Sequence, residues 1–122
     1  MAVKPYVLAE QAYLTDLRRH FHAHPEVSLK EYETCKKIEA ELDSMGIPHK
    51  RIGETGVYGW IDGKKAGDGV TVALRADIDA LAMDDLKEVP YHSQNQGVCH
   101  ACGHDAHTAT LLLSLIHISE PT

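Results

Sequence analysis

An apolar segment followed directly by charged residues limits the folds open to this chain. Residues 70–74 (VTVAL) are apolar or β-branched almost throughout, which is typical of a strand covered on both faces inside an α/β sheet. Charges follow at once, with Arg75, Asp77 and Asp79 in the next five positions. In open α/β sheets, ligands bind at the edge where the strands have their carboxyl ends. We therefore predict an α/β fold with a functional edge directly after Leu74.

Two amphipathic helices are predicted before this segment. Apolar residues recur at helical spacing over residues 8–21, and we expect this helix to end at His24, because a residue that precedes proline avoids helical backbone. The second helix is predicted from a capping-box pattern, in which Ser28 is followed three residues later by Glu31. It is expected to end at Gly46, since glycine suits the left-handed conformation that often follows a helix.

The hydrophobic period shortens towards two after the second helix. This change predicts strands at residues 47–52 and 57–61, before the strand at 70–74. Residues 62–69 are rich in Gly and Asp, and we expect them to join the last two strands as a hairpin. A final helix is predicted at Asp105–Leu113, with its first residue as the N-cap.

Length, composition and charge exclude several classes of protein. At 122 residues the chain is long enough for one ordinary domain, and its 43% hydrophobic and 25% charged residues are typical of a globular protein. Twelve basic against eighteen acidic residues give a net charge of -6, the wrong sign for binding phosphates. The sequence shows neither an apolar run of membrane-spanning length nor a secretory signal. We expect a cytoplasmic protein that binds neither nucleic acid nor membrane.

Cysteine and histidine are concentrated in residues 99–107 (CHACGHDAH), which hold five such side chains in nine positions. Thiolate and imidazole together favour zinc or a neighbouring transition metal. Cys102 and His104 are two residues apart, and Gly103 lets the backbone bend until both side chains reach one ion. The chain has three cysteines in all, an odd number that argues against a disulfide framework. The spacing therefore permits Cys102 and His104 to bind the same metal.

A closed structural zinc site is the alternative interpretation of this cluster. Its four ligands would be Cys99, Cys102, His104 and His107. A redox pair made of the two cysteines is disfavoured, because the sequence shows neither a strand just before them nor a partner proline.

Two further groups of polar residues accompany the cluster. Either Asp77 or Asp79 could accept a ring N–H from a metal-bound histidine, although both could also be an ordinary solvated strand end. Three histidines lie at alternate positions of the first helix, where side chains diverge, so we expect them to be surface or helix-end residues. They are His20, His22 and His24.

Residues 74–81 (LRADIDAL) and 90–113 (PYHSQNQGVCHACGHDAHTATLLL) resemble the two N-terminal motifs of the metal-dependent amidohydrolase and metallopeptidase family. This family includes hippurate hydrolase, the indole-acetyl-amino-acid hydrolases and N-acyl-amino-acid deacylases. Residues 17–34 resemble the opening helices of the same family, so that the resemblance covers nearly all of residues 6–113.

The resemblance implies an α/β fold of a particular kind, the two-metal aminopeptidase-like catalytic domain, with helices on a mixed, mostly parallel sheet. It implies that Cys102 and His104 bind metal in a centre of two divalent ions, zinc or manganese, with cobalt or nickel as alternatives. It implies that Asp77 is the catalytic aspartate that orients a metal-bound histidine. The implied activity is metal-dependent hydrolysis of the amide bond in N-acyl amino acids or similar small amides.

Several parts of the family pattern are absent from these 122 residues. No Glu-Glu pair occurs, although such a pair supplies the family's general base and a further ligand. We interpret residues 1–113 as the N-terminal part of the catalytic domain, inactive alone and without the lid domain through which a parent homodimer would form. Residues 114–122 continue a stretch, LSLIHISEPT, that resembles a translated sequencing adaptor, and we interpret them as a non-native tail.

Overall fold

The computed structural model, which describes residues 2–64, 67 and 69–119, combines helices and a small sheet in a mixed α/β arrangement. The elements in chain order are α1 (Pro5–Leu8), α2 (Gln11–Ala23), α3 (Tyr32–Ser44), β1 (His49–Ile52), β2 (Gly56–Gly59) and α4 (His104–Ser119). The predicted α/β class is confirmed. Of the helices described, none is both long and apolar enough to cross a membrane.

The core lies between the three long helices. Each helix contributes apolar residues three or four positions apart, a spacing that places them on one helix face. The buried cluster comprises Leu17, Phe21, Ile38, Leu42, Ile47, Ala109 and Leu112. Full burial of a Leu, Ile or Phe side chain contributes roughly 1.5–3 kcal/mol. This cluster therefore holds the first turns of α4 against α2, which fixes the position of the site described below.

The C-terminal ends of α2 and α3 lie where the sequence predicts them. Helix α2 ends at Ala23, and His24 leaves the helical conformation with a φ of -123°. Gly46 follows α3 in the left-handed conformation, with a φ of +70°. The Ile47 N–H then donates to the Leu42 carbonyl at 2.9 Å, which satisfies one of the free carbonyls at the helix end.

The start of α3 differs from the predicted capping box. The helix begins at Tyr32, and Glu31 accepts a hydrogen bond from the Leu29 N–H at 3.0 Å instead of capping with Ser28. The cap comes from Glu26, whose carboxylate accepts from the Thr34 N–H at 2.6 Å and from the Thr34 hydroxyl at 2.7 Å. Glu26, eight residues before Thr34, thus accepts hydrogen bonds at the start of α3 in place of the capping box that the local pattern predicts.

The two strands form an antiparallel hairpin whose register pairs His49 with Gly59 and Ile52 with Gly56. β1 lies within the strand predicted at 47–52, and β2 overlaps the one predicted at 57–61 but begins one residue earlier and ends two residues earlier. The turn between them includes Gly53 at a φ of +60°, a conformation that glycine adopts without strain. An ion pair between Arg51 and Glu39 ties the hairpin to α3.

The prediction of a strand at residues 70–74 is wrong. Val70, Val72 and Leu74 are 88%, 77% and 57% exposed, and the described residues pair no strand with them. A strand covered on both faces needs neighbours on both sides, and the residues that the structure describes supply none. The hairpin predicted across residues 62–69 is therefore not formed, and its positions 65, 66 and 68 lie outside the described residues.

The expected mostly parallel sheet is also not found in the part of the chain that the structure describes. The hairpin is antiparallel, and the parallel pairing found among the described residues is a single bridge between Val27 and Ala80. Helix α4 begins one residue before the predicted Asp105 and continues beyond Leu113 to Ser119. The interpretation of residues 114–122 as a tail stays a prediction, and residues 120–122 lie outside the described residues.

We expect Glu26→Ala to loosen the first turn of α3, because it removes the acceptor for the Thr34 N–H and hydroxyl. Loss of a helix cap costs about 0.5–2 kcal/mol, so the Thr34 amide should exchange its hydrogen about 2- to 30-fold faster. Hydrogen exchange followed by mass spectrometry measures this. The control is Glu88→Ala, at an exposed glutamate of the irregular segment, residues 82–96. Unchanged exchange at Thr34 would contradict the assigned cap.

Candidate metal centre

The charged residues after position 74 meet the start of α4. His104 is the first residue of that helix, and its Nδ1 atom lies 2.8 Å from Asp79 Oδ1 and 3.1 Å from the Asp79 carbonyl oxygen. Both partners are acceptors, so Nδ1 carries the proton. The neutral ring then has its free electron pair on Nε2. A histidine held in this way by a carboxylate is oriented to bind a metal through Nε2.

Asp77 lies on the Nε2 side of the same ring. Its Oδ2 atom is 3.8 Å from His104 Nε2, and its Oδ1 atom is 2.6 Å from Arg75 Nη2. The Thr108 hydroxyl is within hydrogen-bond distance of the Asp77 carbonyl at 3.0 Å and of the His104 carbonyl at 2.9 Å, which links the charged segment to α4. The contact that orients His104 is thus made by Asp79, with Asp77 beside the nitrogen that is free to bind.

Cys102 is exposed, and the His104 side chain is 19% exposed, so an ion from solvent can reach both. Gly103 between them has a φ of +96°, a conformation that a residue with a side chain would adopt only under strain. Thiolate, imidazole and nearby carboxylates form a donor set that suits a divalent ion of zinc type. The residues present therefore fit the predicted metal, although they provide only part of a full ligand set.

The structure does not bring the alternative four-ligand zinc site together. Cys99 is buried, whereas Cys102 is exposed. The one group of three ligand side chains found among the described residues joins Cys99 to His22 and Asp85 instead. The ring centroids of His104 and His107 are 5.7 Å apart in a tilted arrangement.

A buried ionic network adjoins the candidate metal centre, and it corrects two expectations. His22, expected at the surface, is buried, and its Nδ1 atom lies 2.7 Å from Asp105 Oδ2. Asp105, expected as an N-cap, is instead the second residue of α4 and also pairs with Arg18 at 2.9 Å. His20 and His24 are exposed, as predicted. One signal for His22 was available, because it lies one turn after Arg18 and directly after the core residue Phe21.

Asp85 extends this network from the irregular segment before α4. Its Oδ2 atom lies 3.3 Å from His22 Nε2, and its Oδ1 atom lies 2.5 Å from Lys87 Nζ. The hydrogen bond from Lys87 holds the pKa of the Asp85 carboxyl well below its usual range. The sequence predicts no role for Asp85, since nothing near it in the chain marks it as buried.

His100 is a further buried histidine, next to Cys99 in the sequence. Neither of its ring nitrogens has a hydrogen-bond partner among the described residues. Burial lowers the pKa of the ring, which favours its neutral form. Nothing in the spacing of the Cys/His cluster predicts a separate role for His100.

Comparison with known proteins finds a family match over part of the chain. A family model described as Peptidase family M20/M25/M40 matches residues 73–120, which include the charged segment and the Cys/His cluster. The chain is related to the M20/M25/M40 peptidase family. This confirms the resemblance to metal-dependent amidohydrolases and metallopeptidases drawn from the sequence motifs.

Related sequences and solved structures agree with this assignment. An uncharacterized hydrolase of Staphylococcus aureus is 49% identical over 104 residues, which cover 85% of this chain and 26% of the relative. A similar protein of Staphylococcus saprophyticus is 45% identical over 106 residues, covering 87% of this chain and 27% of the relative. The chain thus spans about a quarter of the length of these relatives.

The crystal structure of the Bacillus subtilis YXEP protein, a dinuclear metal-binding peptidase of the M20 family, superposes with a TM-score of 0.85 and 38% identity. The superposition covers 92% of this chain and 31% of the YXEP chain. A protein of methicillin-resistant Staphylococcus aureus that is assigned as an aminohydrolase gives a TM-score of 0.87 and 37% identity. The superposition covers 95% of this chain and 31% of the Staphylococcus aureus chain.

The three cysteines should react with iodoacetamide at very different rates. Cys102 is exposed, whereas burial raises the pKa of Cys35 to about 11 and also raises the pKa of Cys99. Because only an accessible thiolate reacts readily, Cys102 should be alkylated at least about tenfold faster than the other two in the folded chain. Peptide mass mapping in mildly alkaline buffer with a chelator measures the rates, and urea-unfolded protein serves as the control. Equal rates in the folded chain would contradict the described burial.

Proposed function

We propose that this chain supplies part of the metal centre of a metal-dependent hydrolase that cleaves the amide bond of N-acyl amino acids or similar small amides. The observation that carries the proposal is the His104 ring, whose Nδ1 is held by Asp79 at 2.8 Å while Nε2 makes no hydrogen bond with the described residues and faces Asp77; the exposed Cys102 lies two residues earlier in the chain. The relation to a dinuclear M20 peptidase supports two divalent ions in the complete centre.

Cys102 and His104 would hold one of these ions. Zinc and manganese are the expected metals, with cobalt and nickel as alternatives, and the thiolate favours the softer members of this group. A bound divalent ion polarises the scissile carbonyl and lowers the pKa of its bound water. Asp79 keeps the proton of His104 on Nδ1, so the ring presents Nε2 as a ligand.

Asp77 is proposed as the catalytic aspartate. Its Oδ2 atom lies 3.8 Å from His104 Nε2, on the side of the ring where the ion would bind. Arg75 lies 2.6 Å from the other oxygen, but its side chain is 86% exposed, so this is a surface ion pair of small energetic worth. In this position Asp77 is able to orient a group bound to the metal.

The remaining features of the proposed protein follow from the relatives' greater length. Residues 1–113 are proposed as part of the catalytic domain, with further ligands, the general base and a dimer-forming lid outside this sequence. The proposed partner is a small-molecule substrate. We propose the cytoplasm as the compartment, since all three cysteines are free thiols and the cytosol keeps thiols reduced.

We expect the isolated 122-residue chain to give no turnover of N-acetyl amino acids, even with added zinc or manganese. Cys102 and His104 provide too few ligands for a two-metal centre. Release of free amino acid, followed by chromatography with and without chelator, measures the activity. Chelator-sensitive turnover by the purified chain would contradict the proposed incomplete ligand set.

A chimaeric enzyme tests the function itself. The 104 residues of this chain that match the Staphylococcus aureus hydrolase would replace the corresponding quarter of that protein. We expect metal-dependent hydrolysis of N-acetyl amino acids that a chelator abolishes. Cys102→Ser and His104→Ala should each lower kcat/KM by at least about 100-fold, since even the loss of a residue that only holds a metal ligand in place costs about 10–100-fold.

The control for the chimaera is His24→Ala, an exposed histidine at the end of α2, which should leave kcat/KM unchanged. The proposal fails if a folded, metal-loaded chimaera shows no amide hydrolysis while the unmodified relative does. It also fails if Cys102→Ser retains full activity.

A further inference from the structure

We propose that His22, Asp85 and Cys99 form a second metal site, distinct from Cys102 and His104 and suited to zinc. Their ligand atoms all lie within 4.8 Å of one another. The three side chains come from α2, from the irregular segment and from the stretch before α4, so the fold gathers residues that are remote in sequence. His22 and Cys99 are buried, and the Asp85 side chain is 2% exposed.

The geometry between His22 and Asp85 is that of two ligands on one ion. His22 Nε2 and Asp85 Oδ2 are 3.3 Å apart, yet Nε2 has no hydrogen-bond partner among the described residues. Zinc bonds to nitrogen and carboxylate oxygen are about 2.0–2.2 Å long, which in a tetrahedral site places the two atoms about 3.3 Å apart. A nitrogen that makes no hydrogen bond, on a side chain that is 1% exposed, therefore faces a carboxylate oxygen at the separation expected of two ligands of one cation.

The opposite nitrogen of His22 supplies the second feature of a metal-binding histidine. His22 Nδ1 lies 2.7 Å from Asp105 Oδ2, and Arg18 fixes the same oxygen from 2.9 Å. A carboxylate that holds one ring nitrogen keeps the proton there and orients the other nitrogen towards the metal. This arrangement repeats, in a buried setting, the pairing of His104 with Asp79.

The other two ligands are also held in place. The Ser93 N–H donates to Asp85 Oδ2 at 2.9 Å, and Lys87 binds Oδ1, which leaves a second electron pair of Oδ2 for an ion. Cys99 exchanges two backbone hydrogen bonds of 2.9 Å with Leu81. When zinc binds, the Cys99 thiol loses its proton, so that a thiolate and the Asp85 carboxylate together balance the charge of the ion.

The ligand types select the metal. One imidazole, one carboxylate and one thiolate suit zinc or cobalt(II), whereas calcium and magnesium require oxygen ligands. Three protein ligands leave a fourth position for water. Because the site is buried and joins α2 to an irregular segment, the ion would hold the chain together there.

The test uses the full chain carrying Cys102→Ser, which removes the exposed thiol of the other centre. Cobalt(II) titration should then show one equivalent bound, with a thiolate-to-cobalt charge-transfer band. Adding Cys99→Ser should remove the band and weaken binding by at least about 100-fold, and Asp105→Asn should weaken it about 10- to 100-fold. Circular dichroism of each variant checks that the helices are retained.

X-ray absorption of the zinc-loaded Cys102→Ser chain decides the matter even if the Cys99 variant fails to fold. A sulfur ligand at about 2.3 Å is expected. Zinc with only nitrogen and oxygen ligands would overturn the proposal. So would a cobalt band that persists in a folded Cys99→Ser variant or one that Cys102→Ser alone abolishes. If Cys102→Ser alone abolished the band, the cobalt would be bound by Cys102. That result would overturn the second site but support the centre at Cys102 and His104, so failure of one proposal does not imply failure of the other.

Discussion

The buried carboxylate of Asp105 is the interaction on which the arrangement of this chain depends. A buried charge is tolerated only when it is paired and hydrogen bonded, and Asp105 obtains both from Arg18 and His22 on α2. Solvent screens the contact with Arg18, which is 35% exposed, whereas the contact between His22 and Asp105 is fully buried and costly to break. The first turn of α4 therefore has one favourable position against α2, and the core cluster, with Phe21 and Leu112, supports the same position.

The same turn of α4 serves both candidate metal sites because consecutive helical residues point in different directions. His104 points towards Asp79 and remains partly accessible, whereas Asp105 points into the interior and holds His22. Adjacent residues on a helix are about 100° apart around its axis, since a turn contains 3.6 residues. A displacement of this turn would disturb both histidines together, so the two sites are mechanically coupled although they share no ligand.

The sequence was sufficient for features set by local patterns and insufficient for those set by distant partners. The ends of α2 and α3 follow from a proline and a glycine, and the pairing of the Cys/His cluster with the charged segment was anticipated from residue types. The burial of His22 was not anticipated, because its partner Asp105 is 83 residues away in the sequence. Residues 70–74 have the composition of a covered strand, but a strand forms only beside another, and the chain provides no such neighbour among the described residues.

The two candidate metal sites differ in solvent exposure, and this difference suits them to different roles. A reacting metal needs an open position that substrate can reach, and the exposed Cys102 with the partly exposed His104 meets that requirement. The proposed site at His22, Asp85 and Cys99 is buried, so an ion there would exchange slowly with solvent. Such an ion would also stabilise the fold, since a metal that binds only the folded chain favours folding. Two cysteines three residues apart thus lie in opposite environments, which the spacing alone could not reveal.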